Sequence, residues 1–114
     1  MQNLAEYTDA LRKIVLATVL TFWLVSAFAG QESTVFRFDG QDFIRVDTTL
    51  MTQDGKSAVN TKLDRADPSY AALVQKRSYS GNSILYGQSY AANYAPLTNE
   101  QGQLTGAIFV GKGK

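Results

Sequence analysis

The chain has 114 residues, 45% hydrophobic and 18% charged, with a net charge of +1. That is room for one domain and not two, in a chain too apolar to be disordered. It has no histidine and no cysteine, which excludes a Ser-His-Asp triad, thiol chemistry, disulfides and zinc-thiolate sites, and removes the commonest general base and metal ligand.

Residues 3–29 read as one helix. Asn3 can cap it, with Glu6 three residues on. Leu4, Tyr7, Leu11, Ile14, Val15 and Thr18 recur at helical spacing. From Ile14 to Ala29 there is no charge; Arg12-Lys13 precedes this run and Ala27-Phe28-Ala29-Gly30 ends it. A basic flank, an apolar run and a small-residue ending mark a secretory signal. At 1.5 Å per residue the run spans about 24 Å, short for a bilayer core of roughly 30 Å. Three readings stay open: a helix packed on the domain, a signal peptide, or a membrane anchor.

Thr34–Phe38 is a predicted strand, Asp39-Gly40 a strong turn signal, and Asp42–Leu50 the returning strand of a hairpin. A second turn falls at Gln53–Lys56, and residues 57–67 read as a loop. Asp67-Pro68 starts a short helix, Asp67 as cap and Pro68 at the first helical position, running to about Lys76. Strands follow at Ser78–Tyr86, Gln88–Leu97 and Gln103–Gly111. Gly81 marks a bulge or a close approach, and Pro96 belongs near a strand end or at an edge. The last strand is apolar on both faces after Gly106, so it is expected centrally, beside the first hairpin. A five-stranded antiparallel sheet with helices packed on it is the economical α+β solution.

Tyr86, Tyr90 and Tyr94 are evenly spaced, which on one strand puts them on one face. Such a wall, apolar in body and polar at its tips, suits a small polar ligand. The lysines and arginines are scattered, apart from Arg12-Lys13 and Lys76-Arg77, so no nucleic-acid partner is expected. Asp39, Asp42, Asp54, Asp64 and Asp67 lie in turns without the spacing of a calcium loop. No metal, cofactor or catalytic residue is expected.

Residues 34–111 carry a series of words: Thr34-Val35-Phe36, the stretch Asp39–Thr48, the stretch Asp54–Leu63, Tyr79-Ser80-Gly81, Leu85–Tyr90, Tyr94–Leu97 and Ile108–Gly111. In this order the chain resembles the Cache superfamily, specifically the single, type 3 Cache sensor domains of bacterial chemoreceptors and sensor kinases. The resemblance implies a PAS-like sheet with a long N-terminal helix behind it and a ligand pocket in front, roofed by a short helix and loops. It divides the chain into residues 1–30, the N-terminal helix or signal/anchor-like segment, and residues 31–114, one Cache-like sensor domain. It also implies a small organic acid as ligand, a homodimer through the N-terminal helix, a membrane tether, and a place on the extracytoplasmic (periplasmic) side of a bacterial inner membrane. Two departures stand out. The second half of the N-terminal helix is greasier than the family's amphipathic one, and where the family usually continues into a membrane span and a signalling module, an excised or a stand-alone sensor domain is expected here.

Arg45, mid-strand between Ile44 and Val46, is the leading ligand-binding candidate, because a desolvated carboxylate needs charge-assisted hydrogen bonds. The resemblance matches Arg45 and Thr48 to the arginine and polar residue that hold ligand in related sensors. It matches Ala92 and Tyr94 to two positions that are often basic there. The loss of a cation at Ala92 favours a C2–C4 monocarboxylate over a di- or tricarboxylate. Tyr90, on the same face as Tyr94, and Lys76, after the short helix, complete the set. The expected function is extracytoplasmic sensing of a small carboxylate for chemotaxis or two-component signalling. The rivals are a PAS-like dimerisation module with a filled core, and an enzyme built on carboxylates or a lysine.

Overall fold

The computed structural model describes residues 31–114; the N-terminal helix expected over residues 3–29 lies outside them. β1 (Gln31–Phe38) and β2 (Phe43–Thr48) form the expected hairpin. The Asp39 carboxylate accepts from the N–H groups of Gln41 and Asp42 at 2.9 and 2.7 Å. Gly40 supplies a φ of 101° that a side chain would resist. After a long connection come α1 (Pro68–Val74), β3 (Tyr79–Leu85), β4 (Gln88–Thr98) and β5 (Leu104–Gly113).

The strands make one antiparallel sheet in the order β2-β1-β5-β4-β3. The last strand is therefore central, beside the hairpin, as its two apolar faces require. β1 and β5 approach so closely that a Cβ at Gly106 would collide with the carbonyl oxygen of Phe36. β3 runs out at the Tyr79–Tyr94 pair, so β4 has an open edge at Pro96, where a missing N–H costs no ladder bond. Gly81 sits in unbroken register with Ala92, so it is no bulge; the Tyr79 side chain folds over it, its hydroxyl 2.6 Å from where a Cβ would stand.

The strand ends differ from the sequence expectation where pairing, and not pattern, decides. Gln31–Ser33 carry no alternation, yet they extend β1 because β5 runs on to Lys112 beside them. β2 stops at Thr48, before Leu50, because the chain folds back: Ala58 N–H donates to Leu50 C=O at 3.0 Å. Residues 57–67 lack periodicity but are not free. Arg45 N–H donates to Thr61 C=O, Asn60 N–H to Arg45 C=O, and Leu63 N–H to Phe43 C=O, at 2.8, 2.7 and 2.9 Å. The segment thus covers the outer edge of β2 and shields it from pairing with another chain.

One face of the sheet carries the core. Phe36, Phe43, Tyr94 and Phe109 point to it, and Leu50, Leu63 and Leu73 come down on it from the connection and α1. The Tyr94 ring lies 6.3 Å from Phe36 and 5.0 Å from Phe109. Ring pairs of this kind add about 0.5–1.5 kcal/mol each beyond area burial. α1 begins as its sequence predicts, with Asp67 capping and Pro68 leading. It ends at Val74, earlier than Lys76, because Lys76 takes a left-handed φ of 61° and its N–H turns back to Leu73 C=O.

Candidate functional site

Arg45 lies on the core face of β2 with only 2% of its surface exposed. Solvent and Asp47, its two ordinary destinations, are both denied to it, since Asp47 is exposed. Its Nη1 donates to Thr61 Oγ1 at 3.1 Å, to Lys62 C=O at 3.0 Å and to Tyr86 Oη at 3.3 Å. All three acceptors are neutral. The guanidinium carbon stands 5.2 Å from the Phe36 ring centre and 5.5 Å from that of Tyr86, close enough for cation–π attraction. Among the described residues no carboxylate is within ion-pair distance of it. Nε–H is buried and has no hydrogen-bond partner. Burial lowers its pKa, opposed by Tyr86, Tyr94 and Asp67, but a guanidinium stays charged.

A buried cation without a counter-ion is costly, by several kcal/mol after relaxation. Cation–π contacts of about 0.5–2 kcal/mol each return only part of that. The vacant donor also has a direction. Nη1 is committed to three oxygens, whereas Nε is free, and Nε and Nη2 form the side edge of the fork that a carboxylate engages in bidentate fashion.

Thr48 shares the core face with Arg45, although residues three apart on a regular strand point to opposite faces. The register explains it: Phe36 pairs with Arg45 and Val35 with Asp47, so Val46 is an extra, bulged residue. Thr48 Oγ1 lies 2.7 Å from Thr34 Oγ1 and accepts from Leu50 N–H at 3.1 Å.

Tyr94 is buried on β4 and hydrogen-bonded to Ser83 Oγ at 3.0 Å. Burial, the largest cause, pushes its phenol up to about 12. Ala92 faces the same way, flanked across the strands by Gly81 and Gly111. The Phe109 ring lies over Gly111 as the Tyr79 ring lies over Gly81. Tyr90 is on this face too, near the end of the sheet; its hydroxyl donates to Gln88 Oε1 at 3.1 Å and its ring meets the edge of Phe109. Lys76 is exposed beyond α1. The structure therefore gathers Arg45, Thr48, Tyr94 and Ala92 on one buried surface, with Tyr90 at its margin and Lys76 outside.

Contacts of four residues lie beyond the sequence reading. Tyr86 belongs to the β3–β4 turn and not to the β4 wall, and it is the tyrosine that reaches Arg45. Thr61 and Lys62 bind the same Nη1 from a stretch with no pattern. Asp67, read as a helix cap, is one, and it also accepts from Ser83 Oγ at 2.6 Å on β3. Nothing local to these residues signalled the contacts, which exist only once the sheet is assembled. Among the described residues no group of three or more acidic side chains could hold a metal, and no helix is long and apolar enough to cross a membrane.

Among known families, the model of the Cache 3/Cache 2 fusion domain matches residues 24–114. No curated protein matches the chain.

Proposed function

The chain belongs to the Cache 3/Cache 2 fusion domain family, whose domains are sensor modules, typically extracytoplasmic and generally not enzymes, and from that premise we propose that it senses a small monocarboxylate of two to four carbons. The observation that carries the reading is Arg45: a buried cation whose hydrogen-bond acceptors are all neutral and whose Nε–H is idle. An anion on its side edge supplies the missing charge and the missing acceptor together. A single cation favours a single carboxylate. A second one would meet no basic side chain at Ala92, and Asp67 is near enough to act on both Arg45 and Tyr94.

In this proposal the output is chemotaxis or two-component signalling, through a dimer formed by the N-terminal segment and tethered at the membrane. Ligand can move that equilibrium only by its differential affinity for the two signalling states.

A second reading has an observation of its own. The small positions Gly81 and Gly111 are covered by the rings of Tyr79 and Phe109, which suits a filled core working as a dimerisation module. A thermal-shift titration with acetate, propionate, lactate and pyruvate separates the two. The sensor reading expects one acid to stabilise the fold, by about 2.7 kcal/mol at roughly 100 times its Kd. Indifference to all four favours the filled core.

A further inference from the structure

Arg45 and Tyr86 touch although β2 and the β3–β4 turn belong to opposite ends of the sheet order. From β2 to β4 there are three interstrand steps, about 14 Å at ~4.8 Å each. Tyr86 bridges that span from an unusual backbone position. Its φ is 52° and that of Gly87 is 80°, the positive pair required by a primed two-residue hairpin turn. Asn, Asp or Gly suits the first of these places, and an aromatic residue there is strained. The ring nevertheless turns inward and is half-buried.

The hydroxyl is fully employed. Thr61 Oγ1 donates to Ala58 C=O at 2.5 Å, so the proton between Thr61 and Tyr86, 2.6 Å apart, comes from Tyr86. The Tyr86 oxygen then accepts from Arg45 Nη1. The Gln53 side chain lies beside the same turn, 2.7 Å from where a Gly87 Cβ would be.

We propose that Tyr86 is a positioning residue and a latch. Its phenol fixes the guanidinium by Nη1 so that the Nε edge faces the anion, and seating of the anion draws the β3–β4 turn down onto residues 58–62. The ligand half of this inference rests on Arg45 being an anion receptor; the latch half does not.

Amide hydrogen exchange and calorimetry on the 114-residue chain test both, using Tyr86→Phe, which keeps the ring, and Tyr86→Asn, which suits the turn but cannot span the sheet. Without any acid, the Gly87 and Gln88 amides should exchange faster in both variants than in the wild type, with β1 and β5 unchanged. Equal exchange overturns the latch whatever the acids do. With the acid that binds best among acetate, propionate, lactate and pyruvate, the wild-type turn should slow further, and Tyr86→Phe should bind roughly tenfold more weakly, as expected for loss of one hydrogen bond to a charged group. Undiminished affinity in Tyr86→Phe overturns the positioning role. If the wild type binds none of the four while the acid-free difference stands, the carboxylate reading and its coupling fail and the latch survives alone.

Discussion

Asp67 and Tyr94 are joined through one serine hydroxyl: Ser83 Oγ donates to Asp67 Oδ2 at 2.6 Å and lies 3.0 Å from Tyr94 Oη. Because the serine proton is spent on the carboxylate, Tyr94 donates to Ser83. The chain of groups ties the start of α1 to β3 and β4 across the buried face. The other Asp67 oxygen accepts from Ser69 N–H at 2.9 Å and Ser69 Oγ at 2.6 Å.

Removing that carboxylate should therefore cost more than a helix cap. Loss of a cap costs about 1 kcal/mol, and stranding buried hydroxyls about 1–3 kcal/mol more. Asp67→Ala should lower unfolding stability by roughly 2–4 kcal/mol on those figures. Asp67→Asn, which still caps Ser69, should lose less. Chemical denaturation of both variants measures the difference, and an Asp67→Asn variant as stable as the wild type would mean that the tie to Ser83 is energetically idle.

Tyr94 sets the alkaline limit. Its folded pKa is pushed up to about 12, while an unfolded tyrosine titrates near 10. Above pH ~10 the unfolded chain sheds this proton and the native state holds it, so stability is full below that pH and falls as the pH climbs toward 12. Tyr94→Phe should show a shallower loss over the same interval in urea midpoints taken from pH 9 to 12.

The acid limit belongs to Asp42. Its carboxylate accepts from Arg65 Nε at 2.8 Å and Nη2 at 2.9 Å, with Lys62 Nζ 3.5 Å away. The Arg65 hydrogen bonds, foremost, hold its pKa at about 2 against an ordinary 3.8. A depressed carboxylate contributes stability above its unfolded pKa and surrenders it as the pH falls toward the folded one. The wild type should lose more stability than Asp42→Asn between pH 4 and 2; parallel curves would remove this pair from the acid response.

Much of the frame is legible locally. Asp39-Gly40 declares its turn, Asp67-Pro68 its helix start, and the doubly apolar Ala107–Val110 stretch its central place. Arg45 stands out because arginine is rare inside a strand. The face shared with Thr48 is hidden, since one bulged residue, Val46, reverses the alternation and no residue type announces it. Tyr86 is hidden for a different reason. The sequence places it at the end of one strand, Ser78–Tyr86, with Gln88–Leu97 the next, and the even spacing from Tyr90 says nothing across the Tyr86-Gly87 turn; the value of the phenol lies in a contact across the whole sheet. Thr61 and Lys62 reach Arg45 through a segment held by backbone bonds to β2, which any sequence could make.

Arg45→Met tests the central claim most directly, because it keeps bulk and removes charge. A buried ion replaced by an apolar group of similar volume is often neutral or stabilising, by about 1–4 kcal/mol. The measurement is the melting temperature of wild type and variant, each with and without acetate, propionate, lactate and pyruvate. An anion receptor predicts a variant at least as stable as the wild type without acid and unresponsive to any acid that stabilises the wild type. A variant that melts far below the wild type, or one that still responds to the same acid, would make Arg45 part of the scaffold and not the receptor.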